Sequence, residues 1–152
     1  MNPNFSQVLD AADRQIVDAL AHDARLSLKE LAAHAGLSSP ACSERLRRLE
    51  ERGVLMGYAA DVSLEALGYP LQAIMRVRPL PGMLHIVEKI ILETPEIIEC
   101  DKITGDDCFV CRVAVRNMAD LDRVHDRITE KAQTNTAMVK STPLKRRLPP
   151  VL

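Results

Sequence analysis

The stretch LSSPACSERLRRLEERGVLMGY, Leu37 to Tyr58, decides how the rest of the chain reads. Small polar residues and a proline open it. Arginines stand at 45, 47, 48 and 52, leucines at 46 and 49, and Gly53 closes the run. Pro40 suits the first helical position, with Ser39 as N-cap. At about 100° per residue, Cys42, Leu46 and Leu49 form an apolar stripe. Pro40, Ser43, Glu44 and Arg47 lie along a second stripe, and Arg45, Arg48 and Arg52 along a third.

Two more helices precede this one. Asp10 caps a run whose apolar positions are Ile16, Val17 and Leu20. Ser27 and Glu30 have capping-box spacing, in which a hydroxyl and a carboxylate each satisfy an orphan amide of the first turn. Leu28, Leu31, Ala32 and Ala35 follow on one face, and Gly36 supplies a left-handed C-terminal residue. Three short helices with a glycine turn before the third predict a helix-turn-helix. Val54 to Tyr58 reads as the strand of a small wing.

A recognition helix enters the major groove by its N-terminal half, so small residues there permit close approach. Ser38, Ser39, Pro40, Ser43 and Glu44 are therefore candidates for the groove side. Ser43 and Arg47 would reach base edges, and Arg45, Arg48 and Arg52 would hold phosphates. Taken alone, the charge pattern also fits a solvated face whose arginines pair with Glu44, Glu50 and Glu51. The capped helices and the glycine turn favour double-stranded DNA as the partner.

Downstream, residues 61–70 read as a linker ending at Gly68-Tyr69-Pro70. The hydrophobic period then changes to two. Leu71, Ala73, Met75 and Val77 alternate with Gln72, Ile74, Arg76 and Arg78, which is a strand. Residues 83–93 read as a helix with Ile86, Val87, Ile90 and Ile91. Ile97–Thr104 reads as a strand, Gly105-Asp106 as a turn, and Cys108–Val115 as another strand. Asn117 caps a helix carrying Leu121, Val124 and Ile128, and Ala137–Leu144 reads as a last strand. The order βαββαβ predicts a ferredoxin-like α+β domain, with helices on one face of an antiparallel sheet. The uncovered face points to self-association. The domains are expected at 1–60 and 71–152.

The 152 residues are 47% hydrophobic and 27% charged, which suits packed domains rather than disorder. Net charge is −1, and residues 1–60 carry seven Lys/Arg against eight Asp/Glu, again −1. Any basic surface must therefore be local. The N-terminal residues have neither the basic nor the apolar region of a secretory signal, and no apolar run is long enough to span a bilayer. A cytoplasmic protein with no membrane partner is expected, its four cysteines (42, 100, 108 and 111) free thiols. Cys108-x-x-Cys111 is not a zinc motif here, because residues three apart on a strand point to opposite faces. On this reading Cys111 packs with Phe109, Val113 and Val115, while Cys108 faces the other way with Val110. No metal, cofactor or catalytic residue is expected.

Leu9-Asp10 with Asp13, Ala24-Arg25, Glu30-Leu31-Ala32, Leu37-Ser38, Arg45, Leu49-Glu50, Gly53-Val54, Gly57-Tyr58 and Leu67-Gly68 resemble the Lrp/AsnC (leucine-responsive/asparagine regulator) family of transcription factors. Ile103-Thr104-Gly105-Asp106 resembles that family's ligand-sensing domain. The resemblance implies homodimers formed through back-to-back sensing sheets, often assembled further into octamers. It also implies an amino acid or related effector near the glycine-aspartate turn, here Thr104, Gly105, Asp106, Asp107 and Cys108. Members commonly read Gly-Asp-aromatic-Asp at this turn, whereas Cys108 takes the last place here. A rival reading is an enzyme: siroheme decarboxylases resemble the same two-domain architecture, and Arg76, Arg78, Arg112 and His125 would then serve a porphyrin cleft. The arginine-bearing recognition helix argues for the regulator.

Overall fold

A computed structural model describes residues 9–150. The outer ends of the two expected domains, 1–8 and 151–152, lie outside the described residues. The chain divides into two compact units. One holds the helical N-terminal part as far as Asp61 together with the segment from Leu144 onward; the other is Val62–Pro143.

The first unit has three helices: α1 (Ala11–His22), α2 (Leu28–His34) and α3 (Ser39–Glu51). Each starts where a side chain satisfies a first-turn amide. The Asp10 carboxylate accepts from the Asp13 N–H at 2.9 Å. Ser27 and Glu30 form the full capping box. Ser38, rather than Ser39, caps α3, accepting from the Ala41 N–H at 3.4 Å, so Pro40 falls one place later than expected. The α2–α3 turn is possible because Gly36 adopts φ +63°, a conformation with little cost for glycine alone. Ile16, Val17, Leu20, Leu31, Ala32, Ala35, Cys42 and Leu49 form the core where the helices meet.

Val54–Tyr58, expected as a wing strand, is in no ladder. The Val54 and Leu55 N–H groups instead turn back to the Leu49 carbonyl, closing the end of α3. Among the described residues no strand of this unit lies alongside to complete a sheet, and a strand needs a partner for its backbone groups. The expected linker is also structured: a turn at Leu64–Gly68 is closed by Leu67 N–H on the Ser63 carbonyl at 3.1 Å.

The second unit runs β1 (Leu71–Pro79), α4 (Leu84–Leu92), β2 (Ile97–Lys102), β3 (Phe109–Val115), α5 (Met118–Thr129) and β4 (Ala132–Met138). The sheet order is β2-β3-β1-β4, with every neighbouring pair antiparallel. This is the expected ferredoxin-like arrangement. Ala73, Met75 and Val77 share the inner face with Phe109, Cys111, Val113 and Val115. There they pack with Val87 and Ile91 of α4 and Leu121, Val124 and Ile128 of α5. Fully burying a valine, isoleucine, methionine or phenylalanine side chain here contributes about 1.5–3 kcal/mol.

The last strand lies at Ala132–Met138, not at Ala137–Leu144. Its sequence, AQTNTAM, lacks the apolar alternation that marks a strand, yet it pairs with β1 from Ala73↔Met138 to Pro79↔Ala132. The apolar residues Val139 and Leu144, which suggested a strand, lie beyond its end. After the Val139 N–H reaches the Gln72 carbonyl, the chain leaves the sheet. Leu144 onward belongs with the helical unit, where Lys145 Nζ sits 3.2 Å from the Asp61 carboxylate.

Candidate functional site

The outer face of α3 begins with small side chains. Pro40, Ala41 and Ser43 are exposed, Ser39 is half-buried, and Cys42 and Leu49 are fully buried on the opposite side. The arginines follow one turn later, and carboxylates hold them. Arg47 donates to Glu44 from Nε at 3.1 Å and from Nη2 at 2.9 Å, and also to Glu51. Arg48 Nε donates to the same Glu44 at 2.9 Å. Sharing two guanidinium groups, first Arg47 and then Arg48, draws the Glu44 carboxyl from its ordinary 4.5 down to about 2. The expected pairing on a solvated face is present for Glu44 and Glu51, whereas Glu50 accepts from the Tyr58 hydroxyl at 2.7 Å; Arg47 and Arg48 remain exposed.

Arg45 stands apart. Its Nη1 donates to Asp10 at 2.6 Å and to Asp13 at 2.8 Å, and the Asp13 side chain is only 11% exposed. Arg52 Nη1 also approaches Asp13, at 3.8 Å. The Asp10 carboxyl is lowered by the Asp13 amide first and Arg45 second. Arg45 was expected among the phosphate contacts, but its guanidinium ties α3 to the start of α1. Asp13 is buried, and a buried carboxylate without that partner would be costly.

In the second unit the connection from β2 to β3 is longer than a two-residue hairpin. The Ile103 N–H reaches the Cys108 carbonyl at 2.9 Å, enclosing Thr104 to Asp107, and Gly105 takes φ +116°. The turn folds toward the end of β1, because the Cys108 N–H donates to the Val77 carbonyl at 3.0 Å. Asp107 is half-buried between two arginines, 3.7 Å from Arg76 and 3.8 Å from Arg78, while Asp106 is 91% exposed and 3.5 Å from Arg78. Arg76, Arg78, Asp107, Gln133, Thr134 and Asn135 line a surface depression of about 400 Å³. Asp107 was among the expected turn residues; Gln133, Thr134 and Asn135 were not, because they lie on β4, whose polar run carries no strand signal. Cys108 was expected to face away from the core; it is instead half-buried and packs against the sheet core. Cys111 is fully buried, as expected, but its sulfur lies 3.4 Å from that of Cys100. His125 Nε2 is 2.6 Å from the Thr134 hydroxyl.

On the open sheet face, Ile74 and Val110 are half-buried and Ala114 is buried, with Arg112 within 3.5 Å of Glu99. No helix of the described residues is long and apolar enough to cross a membrane.

Comparison with known proteins gives two family-model matches. Residues 9–50 match the AsnC-type helix-turn-helix domain and residues 72–149 the Lrp/AsnC ligand binding domain. The chain is 36% identical over 133 residues to the HTH-type transcriptional regulator LrpA of Mycobacterium tuberculosis, covering 87% of this chain and 89% of the relative. It is 33% identical to the leucine-responsive regulatory protein of Haemophilus influenzae, covering 79% of this chain and 74% of that one. Among solved structures, the feast or famine regulatory protein of M. tuberculosis complexed with L-methionine is 34% identical. It superposes with a TM-score of 0.85, over 93% of this chain and 98% of the other. These relatives are regulators by name, in keeping with a protein that is not an enzyme.

Proposed function

This chain belongs to the Lrp/AsnC family of transcriptional regulators, and on that premise we propose that it binds operator DNA through the outer face of α3 and answers an amino acid through the β2–β3 turn. The observation that carries the DNA reading is the order of side chains on α3. Small residues come first, at Ser39, Pro40 and Ser43, with Ser38 as the cap, and the exposed Arg47 and Arg48 one turn on. That order lets the helix N-terminus sit deep in a groove while the arginines reach a base edge and the backbone. Glu44 holds both arginines and releases them to DNA, and Arg52 flanks the far end. Arg45 keeps the helix in place.

The amino-acid reading is supported by opposite charges in one depression. A zwitterion needs donors for its carboxylate and an anion for its ammonium group. Arg76 and Arg78 offer the first, and Asp107 with Asp106 the second. Thr104, Gly105 and Cys108 shape the turn around them, and Gly105 leaves the backbone open to close approach. The related protein with L-methionine bound supports the same ligand class. The partly apolar open face of the sheet supports assembly to at least a dimer, with a higher oligomer such as an octamer built from it. The effector then acts by binding one assembly state better than another.

A thermal-shift screen of the free amino acids tests this, since a ligand of the native state raises its midpoint by mass action. One or more should stabilise the protein, and Asp107→Asn should abolish the shift while leaving effector-free DNA binding unchanged. Asp106→Ala should weaken the shift. Wild-type affinity in both variants would place the effector elsewhere. Light scattering at micromolar concentration should report a dimer or larger species; a monomer would sink the assembly reading.

A further inference from the structure

Cys111 lies opposite Cys100 across the β2–β3 ladder. In the same register the Ile103 N–H donates to the Cys108 carbonyl, and at the other end of the two strands the Ala114 N–H donates to the Glu96 carbonyl. Pairs alternate along an antiparallel ladder, so Cys100 and Cys111, three positions on from Ile103 and Cys108, are a non-hydrogen-bonded pair. Cα atoms of such pairs stand about 4.5 Å apart, inside the span a disulfide accepts. Both side chains point to the helix-covered face, and the Cys111 thiol donates to the Cys100 sulfur at 3.4 Å. The sulfurs are already in van der Waals contact. Their accessibility differs sharply: Cys100, on the edge strand, is exposed, and Cys111 is fully buried.

We propose that Cys100 and Cys111 are an oxidisable dithiol, closed into a cross-strand disulfide by exchange with a low-molecular-weight disulfide of the glutathione type. The Cys100 thiolate attacks one sulfur of the small disulfide. That S–S bond breaks, and the first small thiolate leaves and takes up the proton Cys100 gave up. Cys111, inaccessible to the oxidant, then loses its proton and attacks the Cys100 sulfur of the mixed disulfide. The second small thiolate leaves with that proton. Two protein thiols are oxidised by two electrons, and one small disulfide is reduced to two small thiols. The second step is fast relative to a bimolecular one because its partners are held in contact.

Burial of the sulfurs raises both thiols above the ordinary cysteine value. The pair therefore lacks a pre-formed thiolate, and its oxidation should speed up as pH rises. Neither Cys108 nor Cys42 is placed in this pair; Cys42 is buried in the other unit. The ring closed by the bridge contains the whole turn from Ile103 to Cys108.

The test treats the intact protein with oxidised glutathione, caps free thiols with an alkylating agent and maps peptides by mass spectrometry. The expected product has lost two hydrogen atoms, carries two caps instead of four, and joins the Cys100 and Cys111 peptides within one chain. Cys108→Ser should form the same bridge, and Cys100→Ser should form none. A glutathione adduct that persists on Cys100, a bridge through Cys108 or Cys42, a bridge between chains, or four capped thiols after treatment would each overturn the proposal. Because Cys100→Ser alters an exposed edge position, its fold can be verified by an unchanged melting midpoint. The wild-type peptide map decides the matter even without that variant.

Discussion

Among the described residues, the helical unit holds three helices on eight buried apolar side chains, whereas the sheet unit holds four strands and two helices on thirteen. The smaller core is supplemented locally: each helix has a side-chain cap, and Arg45 bridges Asp10 and Asp13. The sheet unit relies on ladders between segments far apart in sequence. The difference teaches that function is placed where its physics is available. A DNA-reading helix must keep its charged face solvent-exposed, so its support comes from caps and one brace behind it. The turn proposed to sense the effector instead needs a rigid floor, which the sheet supplies.

The strongest way to break this comparison is to empty each core separately. Leu49→Ala and Phe109→Ala remove fully buried side chains and should cost about 2–5 and 3–5 kcal/mol. Hydrogen exchange should rise across α1–α3 in the first variant and leave the strands protected; the second should reverse the pattern. Uniform loss of protection in both would mean that the units do not stabilise themselves separately.

A smaller effect separates reader from brace. Arg47→Ala should weaken operator binding on the order of tenfold to a hundredfold and relax specificity at one base. Arg48→Ala should weaken all sequences alike and flatten the salt slope by about one. Arg45→Ala should leave that slope unchanged while lowering the melting midpoint of the helical unit. Gel-shift titrations across salt, beside melting curves, distinguish the three; an equal change of slope in all of them would return Arg45 to the phosphate contacts.

The smallest effect expected is acidic. Glu44 is drawn from 4.5 to about 2 by Arg47 and Arg48. A carboxylate depressed on folding contributes stability above its unfolded value and loses it as pH falls through the folded one. The contribution is thus complete above about 4.5 and gone near 2. Glu44→Gln should make the melting midpoint of the helical unit slightly less sensitive to pH in that window. Asp120 of the sheet unit, lowered chiefly by Arg116, gives that unit an acid sensitivity of its own, which Glu44→Gln should leave untouched.

Most of the helical unit was legible because its signals are local: caps at Asp10 and Ser27, the stripe through Cys42 and Leu49, and the Gly36 turn lie within a few residues of what they determine. β1 and β3 were legible because one of their faces is buried, which writes the alternation into the sequence. β4 is an edge strand with a polar run, so it carries little alternation. The roles of Arg45 and Cys100 were hidden for another reason. Asp10 and Asp13 lie more than thirty positions from Arg45 in the chain, and Cys100 meets Cys111 only once the β2–β3 register is set. Spacing within a motif, such as Cys108-x-x-Cys111, says nothing about such partners.

The strand order also fixes a sequence of events during synthesis. β1 is an inner strand whose neighbours are β3 and β4, so residues 71–79 must wait for residues 132–138 before their second ladder exists. Closing such long loops is slow compared with forming three short helices. The helical segment leaves the ribosome before the sheet, and among the described residues its core draws on none beyond residue 55. The DNA-reading fold should therefore exist on the nascent chain while β1 still has an open edge, a state in which pairing with another chain competes with folding. Slowing translation between β3 and β4 should lengthen that exposure and lower the soluble yield, with the helical unit already formed.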